Sequence, residues 1–176
     1  GMVEGVGGGK FAPERTITRA EFTVMAMRFA RLPEGGENPF SDVTSSDWFY
    51  DQVVGAVQYG WITGDTDGTF RPEQPVSRAE LVKLIASYFT VEGGTSPFPD
   101  VPDGHWAAEV VSFAAEEGWV SGYPDGTFRP DAPVSRAEAV KILNHALDRR
   151  AGERAAALPF TDVEKGHWAC DEIREA

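Results

Sequence analysis

The chain has one cysteine, Cys170, in 176 residues, so an internal disulfide is impossible and no CxxC or Cys/His cluster offers a zinc or redox centre. Basic residues are scarce: 16 Lys and Arg stand against 28 Asp and Glu, a net charge of −12. That balance argues against a nucleic-acid partner or an anionic membrane surface, because phosphate binding needs clustered cations. Long apolar runs are lacking, so membrane insertion is not expected, and no charged start followed by an apolar stretch reads as a signal peptide. Gly1-Met2 reads as an expression scar ahead of an excised piece, in which case the missing leader says nothing of the parent chain.

Catalytic signatures are also missing. There is no GxSxG, no familiar Ser/His/Asp order and no Cys nucleophile context. A glycosidase needs two carboxyl groups facing each other, whereas the acids here recur in the way turn and cap residues do. His105, His145 and His167 are scattered without an HxxxH pair. Asp65-Thr66-Asp67-Gly68 has the look of a calcium loop, but the next copy reads Tyr123-Pro124-Asp125-Gly126 and no bidentate Glu follows. The chain is therefore expected to be no enzyme and to hold no metal or cofactor.

What is present is a repeat. Phe40-Ser41-Asp42-Val43 and Trp48 recur 58 residues on as Phe98-Pro99-Asp100-Val101 and Trp106. The same offset carries Gly60-Trp61-Ile62 onto Gly118-Trp119-Val120, Asp67 to Pro72 onto Asp125 to Pro130, and Pro75 to Glu80 onto Pro133 to Glu138. The ends hold complementary halves: Gly9 to Glu21 matches Gly68 to Glu80, and Phe160-Thr161-Asp162-Val163 with Trp168 matches Phe98 to Trp106. The chain thus divides into a back half at 1–32, complete copies at 40–90 and 98–148, and a front half at 160–176, which together form one module.

Each back half reads as a helix. Ser77-Arg78-Ala79-Glu80 is a capping box. Val76 with Leu81 and Ile17 with Phe22 fit a hydrophobic staple, with Val134 and Ala139 a weaker third case. Phe22, Met25, Ala26 and Phe29, then Leu81, Leu84, Ile85 and Tyr88 or Phe89, then Ile142, Leu143, Ala146 and Leu147 fall at helical spacing and predict a shared core. Each front half predicts a second helix, with Asp47 capping a segment that begins at Trp48 and Gly60 closing it; Trp106 to Glu117 closed by Gly118 repeats this, and Trp168 opens a third. Between the helices lies a loop of Gly64, the Asp67-Gly68 turn, Phe70 as a buried anchor and Pro72 as a stop. A unit of about 58 residues has too little interior to stand alone, so stacking or ring packing is expected, and three copies suggest a pseudo-threefold cluster.

The order FxDV, W, GxxDGTFRP and [ST]RAE resembles the S-layer homology domain of bacterial surface proteins, from about Val3 to Ala176. The resemblance implies a mainly α module of three helix-loop-helix repeats in a pseudo-trimeric spindle. It also implies an extracellular place in a bacterial cell wall or S-layer, with an exported protein anchored noncovalently. The ligand it implies is a secondary cell-wall polysaccharide, often pyruvylated, held in grooves between repeats. Carried over residue by residue, the family's arginine falls on Arg19, Arg78 and Arg136 beside Thr18, Ser77 and Ser135. The front-half positions fall on Asp42, Asp100 and Asp162 with Trp48, Trp106 and Trp168, and the loop glycines on Gly64 and Gly122. The first copy departs from the pattern, with Gly8 where the others have Asp67 and Asp125, so its groove is expected to be degenerate.

Physical chemistry leaves two readings open for the arginines. Placed at N2, each would meet the unfavourable positive end of a helix dipole. A bound carboxylate, held by the guanidinium and the free N–H groups near Thr18, Ser77 and Ser135, would explain it; so would an ion pair with a loop or front-half Asp. Since N2 is not a core position, replacing Arg78 and Arg136 with Ala is expected to leave the fold intact. Trp61 and Trp119 are expected in the core, whereas Trp48, Trp106 and Trp168 could stack on a sugar or be buried beside Phe40, Phe98 and Phe160. The alternative function is protein interaction or self-assembly of a surface layer. The split repeat either closes within one molecule or exchanges halves in a dimer.

Overall fold

The computed structural model describes residues 5–31, 33–149 and 158–176, and the side chain of Phe29 lies outside what it describes. Among the described residues there are six helices and no strand: α1 Arg19–Ala30, α2 Tyr50–Gln58, α3 Arg78–Ala86, α4 Ala108–Glu116, α5 Arg136–Ala146 and α6 Cys170–Glu175. The mainly helical expectation is met. The three back-half helices α1, α3 and α5 begin at Thr18, Ser77 and Ser135, each of which accepts from the backbone N–H three residues on while the facing Glu accepts from the cap's own N–H. All three capping boxes read from the sequence are present. The staple partners Ile17, Phe22, Val76, Leu81, Val134 and Ala139 are all buried.

The front-half helices start two residues later than the sequence suggested, and without a side-chain cap. Asp47 spends its carboxylate on the preceding turn, where it accepts from Thr44 N at 2.7 Å, and its carbonyl takes the Tyr50 N–H. In the other two copies His105 and His167 accept the Ala107 and Ala169 N–H through Nδ1, both at 3.1 Å. Each of Trp48, Trp106 and Trp168 consequently lies in a turn ahead of its helix. The helix ends were read correctly: Gly60 and Gly118 adopt φ of +69° and +73° immediately after the C-caps.

The helices pack in pairs, α1 on α2, α3 on α4 and α5 on α6, while α3 also meets α1 and α5. The pairs meet at a small triangle of main chain. Ile17 N donates to Val134 O at 2.9 Å, Val134 N to Val76 O at 3.1 Å, and Val76 N to Ile17 O at 3.0 Å. Around it Met25, Leu81, Leu84, Ile142 and Leu143 join one continuous core with the buried Trp61 and Trp119. A satellite of Ala20, Val24, Phe40, Val43, Phe49, Val53 and Phe70 fills the space under α2.

The loops are held by a carboxylate clasp. Asp42 accepts the N–H groups of Phe70 and Arg71 at 2.7 and 2.8 Å, and Asp100 those of Phe128 and Arg129 at 2.9 and 2.7 Å. Asp162 does the same for Phe11 and Ala12, both at 2.8 Å, across 150 residues of sequence. In this structure the last front half therefore completes the first back half within one chain. The clasp fixes a strained turn, because Arg71, Arg129 and Ala12 all sit in the left-handed region at φ of 56°, 58° and 56°.

Burial pushes the Asp100 and Asp162 carboxyl groups up, but the donated backbone N–H groups outweigh it and hold both below the ordinary value. A carboxylate lowered in the folded state adds stability that is complete above its unfolded value, near pH 4, and is lost as pH falls through the lower folded value. Thermal melts from pH 7 to pH 2 should therefore be flat down to about pH 4 and fall steeply below it, and Asp162→Asn should remove part of that acid limb. Ala12→Gly should raise the melting temperature, since relief of a left-handed alanine is worth about 1 kcal/mol.

Candidate functional site

Each back-half helix opens with a Thr or Ser cap, so the arginine that follows occupies N1 rather than N2. Nor is it a surface residue: Arg78 and Arg136 are only 6% and 5% exposed. Each guanidinium reaches into the next copy around the ring. Arg19 Nε donates to Phe70 O, Arg78 Nε to Phe128 O and Arg136 Nε to Phe11 O, all at 2.9 Å. The same guanidinium lies over the ring of that phenylalanine, at 5.1, 4.9 and 4.8 Å from the centroids. Its Nη1 turns to the capping-box glutamate of the next copy: Glu80 for Arg19, Glu138 at 3.8 Å for Arg78 and Glu21 at 3.9 Å for Arg136. The ion-pair reading is thus realised with glutamates rather than with loop or front-half aspartates. Burial pulls the Arg136 guanidinium down from its ordinary value while Glu21 opposes it.

The helix amino ends are not open to a ligand. At N1 and N2, Arg19 and Ala20 donate to Gln74 O and Pro72 O, Arg78 and Ala79 to Ala132 O and Pro130 O, and Arg136 and Ala137 to Arg15 O and Pro13 O. Together with the capping boxes this occupies the N–H groups that the sequence offered near Thr18, Ser77 and Ser135. Asp42, Asp100 and Asp162 are likewise committed to their loops. Gly64 and Gly122 are required by close packing: a Cβ would lie 2.3 Å from the Phe40 ring at one and 2.7 Å from the Phe98 ring at the other. Gly5, which the sequence reading passed over, packs in the same way on Phe160 at 2.9 Å.

Among the described residues two grooves of similar plan flank α3, one on each side. The first, of about 270 Å³, is lined by Arg19, Gly64, Asp65, Glu80, Lys83 and Trp106 among others. The second, of about 240 Å³, is lined by Arg78, Gly122, Tyr123, Glu138, Lys141 and Trp168 among others. The tryptophans settle one open alternative, because Trp48, Trp106 and Trp168 are 62%, 55% and 53% exposed. Lys83 stands over the Trp106 ring at 5.5 Å and Lys141 over the Trp168 ring at 5.9 Å. These lysines were missed in the sequence. They occupy corresponding positions in α3 and α5, where α1 has the buried Val24, so the contrast was visible once the copies were aligned. Among the described residues no group of His, Cys, Asp and Glu is placed to hold a metal ion, and no helix is long and apolar enough to cross a membrane.

The family model described as S-layer homology domain matches residues 1–23, 39–82 and 97–140. The chain belongs to the S-layer homology domain family. Its relatives include a cellulosome-anchoring protein of Acetivibrio thermocellus, 35% identical over 188 residues that cover 99% of this chain and 41% of that protein. Cell surface glycoprotein 1 of the same organism is 35% identical over 186 residues, covering 95% of this chain and 8% of that protein. A surface-layer 125 kDa protein of Lysinibacillus sphaericus is 27% identical over 154 residues, covering 84% of this chain and 13% of that protein. The chain therefore spans less than half the length of these relatives. A relative named as an enzyme also matches: exoglucanase XynX of Acetivibrio thermocellus is 32% identical over 157 residues, which are 84% of this chain but 14% of that protein. These matches place the chain at a cell wall or cell surface and support a part in cell-surface anchoring.

The buried arginines carry a prediction opposite to the one made from sequence. Arg78→Ala orphans the Phe128 carbonyl and empties a packed site, and should cost about 2 to 4 kcal/mol in chemical denaturation. Arg78→Lys, which keeps the charge but loses the planar fork, should recover less than half of that.

Proposed function

We propose that the module anchors an exported protein by binding an acidic secondary cell-wall polysaccharide in the two grooves beside α3, without catalysis. The observation that carries this reading is the coincidence, twice over, of a rigidly held arginine, a lysine and an exposed tryptophan around one cavity. The Nε–carbonyl bond and the phenylalanine face pre-set each guanidinium, which has five donors in a fixed fork and spends only part of it inside the protein. A carboxylate such as a pyruvate ketal meets that fork with its negative charge near the lysine. The indole supplies an amphipathic face for a sugar ring.

The net charge of −12 opposes an acidic polymer at long range, but beyond about 8 Å that repulsion is screened at physiological ionic strength. Local cations then decide. The surface position of the family and the anchoring relatives support the same reading.

Calorimetric titration with purified wall polysaccharide, before and after mild-acid removal of ketal-linked pyruvate, tests the proposal. Binding should be present before and clearly weaker after. Trp106→Ala with Trp168→Ala, at exposed positions, should weaken binding at least tenfold while leaving the melting temperature within about 2 °C. A folded protein that ignores both polymer forms overturns the glycan reading and moves the weight to protein partners.

A further inference from the structure

The two grooves share a plan but not a charge. In the groove lined by Arg19, the two cations Arg19 and Lys83 face two carboxylates, Asp65 and Glu80. In the groove lined by Arg78, the cations Arg78 and Lys141 face Glu138 alone, and His145 joins the wall. Two differences between the copies produce this: Tyr123 stands where the other loop has Asp65, and His145 stands where α3 is followed by Ser87. The adjoining turns do not restore the balance. Arg71 lies 3.3 Å from Asp65 and 3.1 Å from Asp67, while Arg129 lies 2.9 Å from Asp125, so each turn beyond the groove adds one cation and one anion.

Tyr123 also changes how the guanidinium is presented. Its ring is flanked by Arg78 at 5.0 Å and Arg129 at 4.0 Å, so an aromatic face takes the place of a competing carboxylate. His145 places Nδ1 3.2 Å from Gly118 O, which fixes Nδ1 as a donor, and turns Nε2 to Glu172 Oε1 at 3.4 Å. With Nδ1 donating to a carbonyl and Nε2 facing a carboxylate, the ring is held at the groove wall. The charged groups around it are Glu172 on α6, Lys141 and Glu138 on its own helix, and Arg78 on α3.

Resting on the glycan reading above, we infer that the Arg78 groove is the anion-selective site, with Tyr123 as its specificity-determining residue. The Arg19 groove takes the same sugar with little preference for its charge.

The indoles of Trp106 and Trp168 report the two grooves separately. Their Nε1–H signals, assigned with Trp106→Phe and Trp168→Phe, are to be followed by NMR during titration with a pyruvate-ketal hexoside and, in parallel, with its methyl ester. The acid should saturate the Trp168 signal at about fivefold lower concentration than the Trp106 signal, and the ester should affect the two alike. Tyr123→Asp should erase the difference between the grooves. Equal saturation by the acid in both grooves, or tighter binding at Trp106, overturns the inference and leaves the glycan function standing. Silence of both indoles toward both probes overturns the glycan function together with it.

Discussion

The structure depends on three main-chain hydrogen bonds that close on themselves: Ile17 to Val134, Val134 to Val76 and Val76 to Ile17. Each residue immediately precedes a capping box, so one triangle fixes where three helices begin. Burying a main-chain polar group is tolerable only when it is paired, and at this junction each copy supplies the partner that another copy needs. A single copy would leave its Val N–H and C=O orphaned at the very point where its helix starts. Insufficient core is thus only part of why one copy is not enough. The backbone bookkeeping of each copy is incomplete until the others are in place.

From that triangle outward the arginines extend the same dependence. Each donates to a phenylalanine carbonyl in the next copy's loop, and that phenylalanine's N–H is gripped by an aspartate of the front half. Helix start, loop and front half are therefore one linked device. The grooves are what it leaves over: they form where an arginine crosses from one copy to the next. In the proposed glycan reading, structure and recognition are consequently inseparable at Arg19 and Arg78, whereas Lys83, Lys141, Trp106 and Trp168 project from the frame and would carry recognition with little structural duty.

Much of this was legible in the sequence because it is local. Capping boxes, helix-ending glycines, the buried loop phenylalanines and the core positions of Trp61 and Trp119 follow from spacing and side-chain type within a few residues. The start of the front-half helices was misjudged because Asp47 can satisfy either a helix or the turn before it, and the turn claims it. The arginines were placed one position too deep and taken as exposed. Their acceptors lie 50 or more residues away, or 125 for Arg136 and Phe11, and no local pattern reveals a carbonyl in another copy. Lys83 and Lys141 went unnoticed for a different reason: the eye follows what all copies share, and the groove lysines are what two of them share and the first lacks.

The Asp162 clasp on Phe11 and Ala12, with the Phe11–Phe160 ring pair beside it, joins the last front half to the first back half without a covalent link, at a seam that elsewhere in the ring is bridged by covalent chain. The position of the chain break is therefore arbitrary with respect to the contacts made. A circular permutant, with the present ends linked and a new opening in the segment between α3 and α4, would present the same six helices, the same triangle and the same two grooves in a different reading order. Evolution could slide the boundaries of such a module along its sequence without disturbing the surface that it offers.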